Sequence, residues 1–172
     1  MSGLRIVVMG VAGSGKSAVG SRLAAALGLP LIEGDSFHPP ANIAKMTAGI
    51  PLDDTDRWPW LDEIGRHMRN EVDRGRSVVA ACSALKKAYR DRLRQAVGPS
   101  LAFVFLRVGE RDLRRRMTTR GGHFMPANLL ASQLKTLQPP IGEPDAIEID
   151  GCLPTEEQIS RLATLLASHA TG

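Results

Sequence analysis

The stretch Gly10-Val11-Ala12-Gly13-Ser14-Gly15-Lys16-Ser17 carries glycine, four residues, then glycine, lysine and serine. That spacing is the pattern of a loop that cradles phosphates. Glycines let the backbone turn tightly and bring its N–H groups against phosphate oxygens with no Cβ in the way. Lys16 can reach the outer phosphates as a point charge, and the Ser17 hydroxyl can ligate Mg²⁺. The apolar run Leu4 to Met9 precedes the loop, and a helical pattern resumes at Ser17, with Val19, Leu23, Ala26 and Leu27 on one face. Phosphates would therefore sit at a helix N-terminus, where the dipole favours anions. All eight residues from Gly10 to Ser17 are expected to hold a nucleoside triphosphate.

Such a loop serves kinases, GTPases, motors and regulatory ATPases alike, so other residues must narrow the choice. Asp35 stands at the end of the second expected strand, beside the loop. A carboxylate there can accept the proton of an attacking hydroxyl or help to hold Mg²⁺. The third expected strand ends in Cys82-Ser83-Ala84 with no acidic residue, which makes Asp35 the replacement for the carboxylate missing there. A helix cap or turn is the plainer reading of Asp35. Six arginines, Arg107, Arg111, Arg114, Arg115, Arg116 and Arg120, crowd one segment. They fit either a nucleic-acid surface or a phosphate clamp among solvated arginines. One Tyr, four Phe and two Trp offer little for bases to stack on, which favours the clamp.

The elements that must position these groups follow from hydrophobic period and punctuation. Leu4 to Met9, Leu29 to Gly34, Ser77 to Cys82, Leu101 to Val108 and Ala146 to Asp150 read as five strands. Helices are expected from Ser17 to Leu27, around Ala41 to Ala48, along Trp60, Leu61, Ile64, Met68 and Val72, from Lys86 to Val97, from about Glu110 to Thr119 and from Ala127 to Leu137. A last helix opens on Thr155 and Gln158, spaced as a capping box, and is expected to bury Ile159, Leu162, Ala163 and Leu166. Alternation of this kind implies an α/β fold: a five-stranded parallel sheet with helices on both faces. At 172 residues the chain reads as one domain, residues 1–172. Residues 36–74 and 121–144 are not spent on that scaffold and suit an acceptor-binding insertion and a lid, overhanging the strand ends where ligands gather.

Composition is that of an ordinary globular chain, 43% hydrophobic and 23% charged, with a net charge of +4. No apolar run is long enough to cross a bilayer, the N-terminus does not read as a signal peptide, and Cys82 and Cys152 make no disulfide framework. A cytoplasmic protein without membrane or nucleic-acid partners is expected. The four histidines and two cysteines show no metal-ligand spacing.

Four further blocks accompany the loop. They are Glu33-Gly34-Asp35-Ser36-Phe37-His38-Pro39 with Asn42 to Met46; Pro51-Leu52-Asp53-Asp54-Thr55-Asp56-Arg57-Trp58-Pro59-Trp60-Leu61; Cys82-Ser83-Ala84-Leu85-Lys86-Lys87-Ala88-Tyr89-Arg90; and Arg120-Gly121-Gly122-His123-Phe124-Met125 with Gln133 and Thr136 to Pro139. With these blocks the chain resembles the gluconate kinases of the shikimate-kinase-like and nucleoside-monophosphate-kinase-like P-loop group. Its departures are small: Ala12 stands where Ser is common, and Gly121-Gly122 where Lys or Ser often precedes the Gly. The resemblance implies a three-layer P-loop kinase fold and Mg²⁺-assisted transfer of a phosphoryl group from ATP to the terminal hydroxyl of D-gluconate. Members are often dimers, although no stripe here marks a homodimer interface.

Gluconate offers a carboxylate and a row of hydroxyls. Arg57 and Arg90, ahead of Lys45, are the candidate carboxylate partners, and Asp35, His38, Ser83, His123 and Gln133 could read hydroxyls. Plainer readings exist: Arg57 pairing with Asp53, Asp54 or Asp56, Arg90 as a solvated helix residue, His38 as a turn residue. Lys16 and Asp35 would act in catalysis, Ser17 and Asp35 on Mg²⁺, and Arg120 with Arg116 as a clamp on the nucleotide or a platform for its base. The alternatives are a kinase of the same fold for another acceptor, such as shikimate, or a non-catalytic nucleotide- or nucleic-acid-binding module.

Overall fold

The computed structural model describes residues 3–119 and 127–169. Its strands are β1 (Arg5–Met9), β2 (Leu31–Glu33), β3 (Val78–Ala81), β4 (Leu101–Arg107) and β5 (Ala146–Asp150). They form one parallel sheet in the order β2-β3-β1-β4-β5, with Val8 opposite Ala81 on one side and Val104 on the other. The helices are α1 (Lys16–Leu27), α2 (Pro40–Thr47), α3 (Asp54–Asp73), α4 (Lys87–Val97), α5 (Glu110–Thr119), α6 (Ala127–Thr136) and α7 (Thr155–His169).

Alternation along the strands divides the core in two. Val7 and Met9 of β1 face a cluster with Leu61 and Ile64 of α3 and Leu93 of α4. Ile6 and Val8 face the other cluster, with Val19 and Leu23 of α1 and Leu162 and Leu166 of α7. A sheet covered on both faces accounts for strands too apolar to alternate with polar residues. Its central strand delivers the glycine loop to the carboxyl edge, flanked by the ends of β3 and β4.

The structure departs from the sequence reading at several elements. Helix α3 starts six residues before Trp60, because Asp53 accepts from the Asp56 N–H while the Asp56 side chain accepts from the Asp53 N–H. This reciprocal cap and the acids of the first turn stabilise a helix end that composition made look like a turn. Pro59 lies inside the helix and costs it one backbone bond. Since α3 spans 54–73 and buries Ile64 and Met68 against the sheet, that part of the 36–74 stretch is scaffold, the crossover between β2 and β3. The expected box at α7 does not form: Thr155 is already helical, and the Gln158 amide donates to the carbonyls of Leu153 (2.8 Å) and Gly151 (3.4 Å). Ala26 and Ala163 are exposed, while Gly20 and Ala24 complete the buried face of α1.

Candidate active site

A cavity of about 660 Å³ opens at the carboxyl edge of the sheet. Ala12, Gly13, Gly15, Lys16 and Ser17 form one wall, Asp35, His38, Arg57 and Trp60 another, and Ser83, Met117 and Gln133 close it from the remaining sides. Ten of the residues picked out in the sequence thus meet in one space: five from the loop, with Asp35, His38, Arg57, Ser83 and Gln133. Arg120 and His123 lie outside the described residues.

The loop is shaped for an anion. Gly13 and Gly15 have φ of 80° and 98°, values that residues with a Cβ avoid. A Cβ at Gly15 would meet no protein atom within 4 Å, so it would project into the cavity that this glycine lines. Gly15 is also the N-cap of α1, with no side-chain cap and no acid in the first turn. The positive end of that helix is therefore left uncompensated by its own cap and first turn. Lys16 Nζ donates to the Val11 carbonyl at 3.0 Å, spanning the loop. These residues fit the phosphates of a nucleotide, and the Ser17 hydroxyl and the Asp35 carboxylate provide oxygen donors suited to Mg²⁺. Gly10, Val11 and Ser14 stay outside the cavity wall and hold the loop's frame. Gly10 N–H bonds to the Ser83 carbonyl (3.3 Å), and Val11 and Ser14 are buried.

Asp35 follows β2 in a short 3₁₀ turn, Gly34–Phe37. The turn sits hard against the sheet: a Cβ on Gly34 would lie 2.4 Å from the Ala81 carbonyl, and the Gly34 carbonyl accepts from the Trp60 indole N–H at 2.8 Å. The Asp35 side chain is exposed to the cavity side, and His38 Nε2 stands 4.0 Å from its Oδ1. His38 stacks on Trp60 with centroids 4.3 Å apart. Buried Asn42 donates to the Asp56 carbonyl (3.0 Å) and lies 3.3 Å from His38 Nδ1. An amide donor on Nδ1 assigns the ring proton to Nε2, facing Asp35. Burial holds His38 below the ordinary histidine range, with Asp35 opposing the shift and Arg57 adding to it.

Arg57 is 7% exposed and lines the cavity. The three acids near it in sequence are all turned elsewhere. Asp53 and Asp56 cap α3, Asp56 also pairs with Lys45 at 2.7 Å, and Asp54 takes the Tyr89 hydroxyl and Lys86. The one side-chain hydrogen bond of Arg57 among the described residues goes to the Tyr89 hydroxyl, at 2.9 Å. Taking a guanidinium out of water costs several kcal/mol; the Tyr89 ring, 5.4 Å away, and the Asp54 charge ease that cost, but the other donors make no hydrogen bond among the described residues. A buried cation with donors to spare beside a cavity has the chemistry to take an anion.

Arg90 and Arg116 correct the sequence reading. Arg90 is fully buried outside the cavity wall. Its guanidinium donates to Glu143, to the carbonyls of Ala84 (2.9 Å) and Leu85 (3.2 Å), and to that of Gln138 (2.9 Å). All five N–H donors are used, so none remains for a substrate carboxylate. Arg116 donates to the carbonyls of Gly13, Ser14 and Gly151, bracing the outer side of the phosphate loop. Gln133 lines the cavity, but its side-chain oxygen accepts from the Ala12 N–H at 2.8 Å, tying α6 to the loop. In the arginine-rich segment, Arg107, Arg114 and Arg115 pair with Glu148, Glu110 and Asp112. In the sequence reading Trp60 is one position of a helix face, Asn42 and Tyr89 stand in the family blocks, and Asp54 is one alternative partner of Arg57, none with a role in the site. The available signal was chemical: a buried indole N–H or phenol needs a polar partner.

The sheet order and the loop define a class, a P-loop kinase that brings a phosphoryl donor and a small acceptor into one cavity. The family model described as an AAA domain matches residues 6–140. A gluconokinase of Gluconobacter oxydans is 46% identical over 146 residues, which cover 85% of this chain and 82% of the relative. The crystal structure of a gluconokinase from Sinorhizobium meliloti superposes with a TM-score of 0.83 at 49% identity, over 96% of this chain and 97% of that one. An unliganded sugar kinase from a Janibacter species reaches a TM-score of 0.90 at 45% identity, over 96% and 95%. The chain belongs to the gluconokinase family of P-loop kinases.

Proposed function

We infer that this protein transfers the γ-phosphoryl group of ATP to the terminal hydroxyl of gluconate, giving 6-phosphogluconate and ADP. The observation that carries the reading is the shared cavity: a phosphate loop and Asp35 face the same space as a buried, under-partnered Arg57. The acceptor's hydroxyl oxygen bonds to the γ-phosphorus as the bond from that phosphorus to the β–γ bridging oxygen breaks. Asp35 takes the hydroxyl proton as general base. Lys16 and the loop N–H groups stabilise charge on the transferring group. Mg²⁺ held by Ser17 and Asp35 would supply further charge neutralisation there. Arg57 seats the acceptor carboxylate, while His38 and Ser83 meet its hydroxyls. Arg120 and His123 belong to the proposed lid, which ends short of residue 144 because Gln138 and Glu143 are bonded to buried Arg90. The stretch before α3 forms the acceptor side.

An ADP-release assay with Mg-ATP tests the reading against gluconate, shikimate, adenylyl sulfate and nucleoside monophosphates. Gluconate alone should stimulate turnover, and Asp35→Asn should lower kcat by about 10²–10⁴-fold, the usual worth of a positioned general base. Turnover confined to another acceptor would overturn the substrate.

A further inference from the structure

A chain of polar contacts leads from Arg57 at the cavity wall to residues outside it. Arg57 Nη1 donates to the Tyr89 hydroxyl, which donates to Asp54 Oδ1, and Asp54 also receives Lys86 Nζ at 2.9 Å. Tyr89, Asp54 and Lys86 do not line the cavity. The direction of the chain is fixed. A guanidinium cannot accept, so the single phenolic hydrogen goes to Asp54 and a lone pair receives Arg57. Burial and the Asp54 carboxylate hold Tyr89 above the ordinary tyrosine range, against Arg57, which keeps the hydroxyl protonated. The Tyr89 hydroxyl and Lys86 hold Asp54 below the ordinary carboxylate range. The ring itself is locked: Tyr89 is 1% exposed and meets Trp58 edge to face, with centroids 5.4 Å apart.

We propose that Tyr89, oriented by Asp54, is a positioning residue that presents the remaining donors of Arg57 to the acceptor's carboxylate and so sets selectivity for aldonates over uncharged polyols. The proposal rests on Arg57 as the carboxylate seat. An arginine held by one donor keeps its planar fork in place before substrate arrives, so less rotamer entropy is lost on binding. Without the phenolic oxygen the guanidinium has no side-chain hydrogen bond among the described residues to hold it.

The test compares gluconate with gluconamide, its neutral amide, in wild type, Arg57→Met, Tyr89→Phe and Asp54→Ala. Tyr89→Phe should raise the gluconate KM about 10-fold, on the scale of one hydrogen bond to a charged group. Its kcat and ATP KM should stay within about 2-fold of wild type, the signature of lost binding without lost chemistry. Gluconamide kinetics should not change, so discrimination between the two acceptors falls by the same factor. Asp54→Ala, at a half-exposed position whose loss leaves the core closed, should act in the same direction by about 3-fold. An unchanged gluconate KM in both variants, a lowered one in Asp54→Ala, or an equal loss for both acceptors would overturn the proposal. If Arg57→Met keeps full discrimination, the carboxylate binds elsewhere and the parent reading falls with this one. If Arg57→Met loses it and Tyr89→Phe does not, only the positioning role fails.

Discussion

Two arginines, Arg57 and Arg90, sit within 33 residues of each other in sequence and are both buried, 7% and 0% exposed. Around Arg90 the protein supplies a carboxylate and three backbone carbonyls, and Glu143 is shared with Arg94, which also bonds Asp145 at 2.7 Å. Burial pushes Glu143 upward, but the Arg90 and Arg94 hydrogen bonds outweigh it and hold its carboxyl below the ordinary range. Around Arg57 the described residues supply one hydrogen-bonding hydroxyl, and the three neighbouring acids bond to other groups. A saturated guanidinium joins α4 to the segment before β5, whereas the one at the cavity wall keeps donors that no described residue takes, which is what the proposed carboxylate seat requires.

Three changes would break or sharpen that contrast. The largest effect should come from Glu143→Gln, which leaves the Arg90 charge buried without its counter-charge. The expected loss is about 3 kcal/mol or more, a fall in Tm of roughly 6–12 °C for a chain of this size, measured by thermal unfolding. The gluconate KM of the folded enzyme should not move. Arg57→Met should do the reverse. Its gluconate kcat/KM should drop by about 30–100-fold, the worth of a charge-assisted pair to a carboxylate, as read in steady-state kinetics. Stability should hold or rise, because an apolar side chain of similar length replaces a poorly compensated buried charge.

The smallest effect concerns His38. Its folded pKa lies below the ordinary histidine value of 6.5, so the unfolded chain binds the proton first on acidification. The stability this provides is present above 6.5, declines by at most about 1.4 kcal/mol per pH unit below it, and stops declining beneath the lowered folded value. Denaturant unfolding between pH 7 and 5 should show this slope in wild type and lack it in His38→Asn. Arg57 contributes to the depression, so an NMR titration of His38 should shift upward in Arg57→Met and stay put in Arg90→Met.

What was legible in the sequence was mostly contiguous. The phosphate loop is read from eight consecutive residues because its function lies in backbone shape, which glycine spacing dictates. Asp35 was legible because a strand end beside the loop places it. The five strands were legible because both faces of the sheet are buried. The fates of Arg57, Arg90 and Arg116 were not, since each depends on which distant groups satisfy its donors: Tyr89, Glu143 and Gly151 lie 32, 53 and 35 residues away. The start of α3 was hidden for a related reason. Asp53-Asp54-Thr55-Asp56 looks like a turn until two of its side chains are seen capping each other's backbone.

The most direct test of the account is a crystal structure with gluconate and a non-hydrolysable ATP analogue. The account predicts the gluconate carboxylate about 2.7–2.9 Å from Arg57, the range of charge-assisted bonds, with the terminal hydroxyl against Asp35. A carboxylate held by Lys45 or by the phosphate loop, with Arg57 still bonded only to Tyr89, would contradict it.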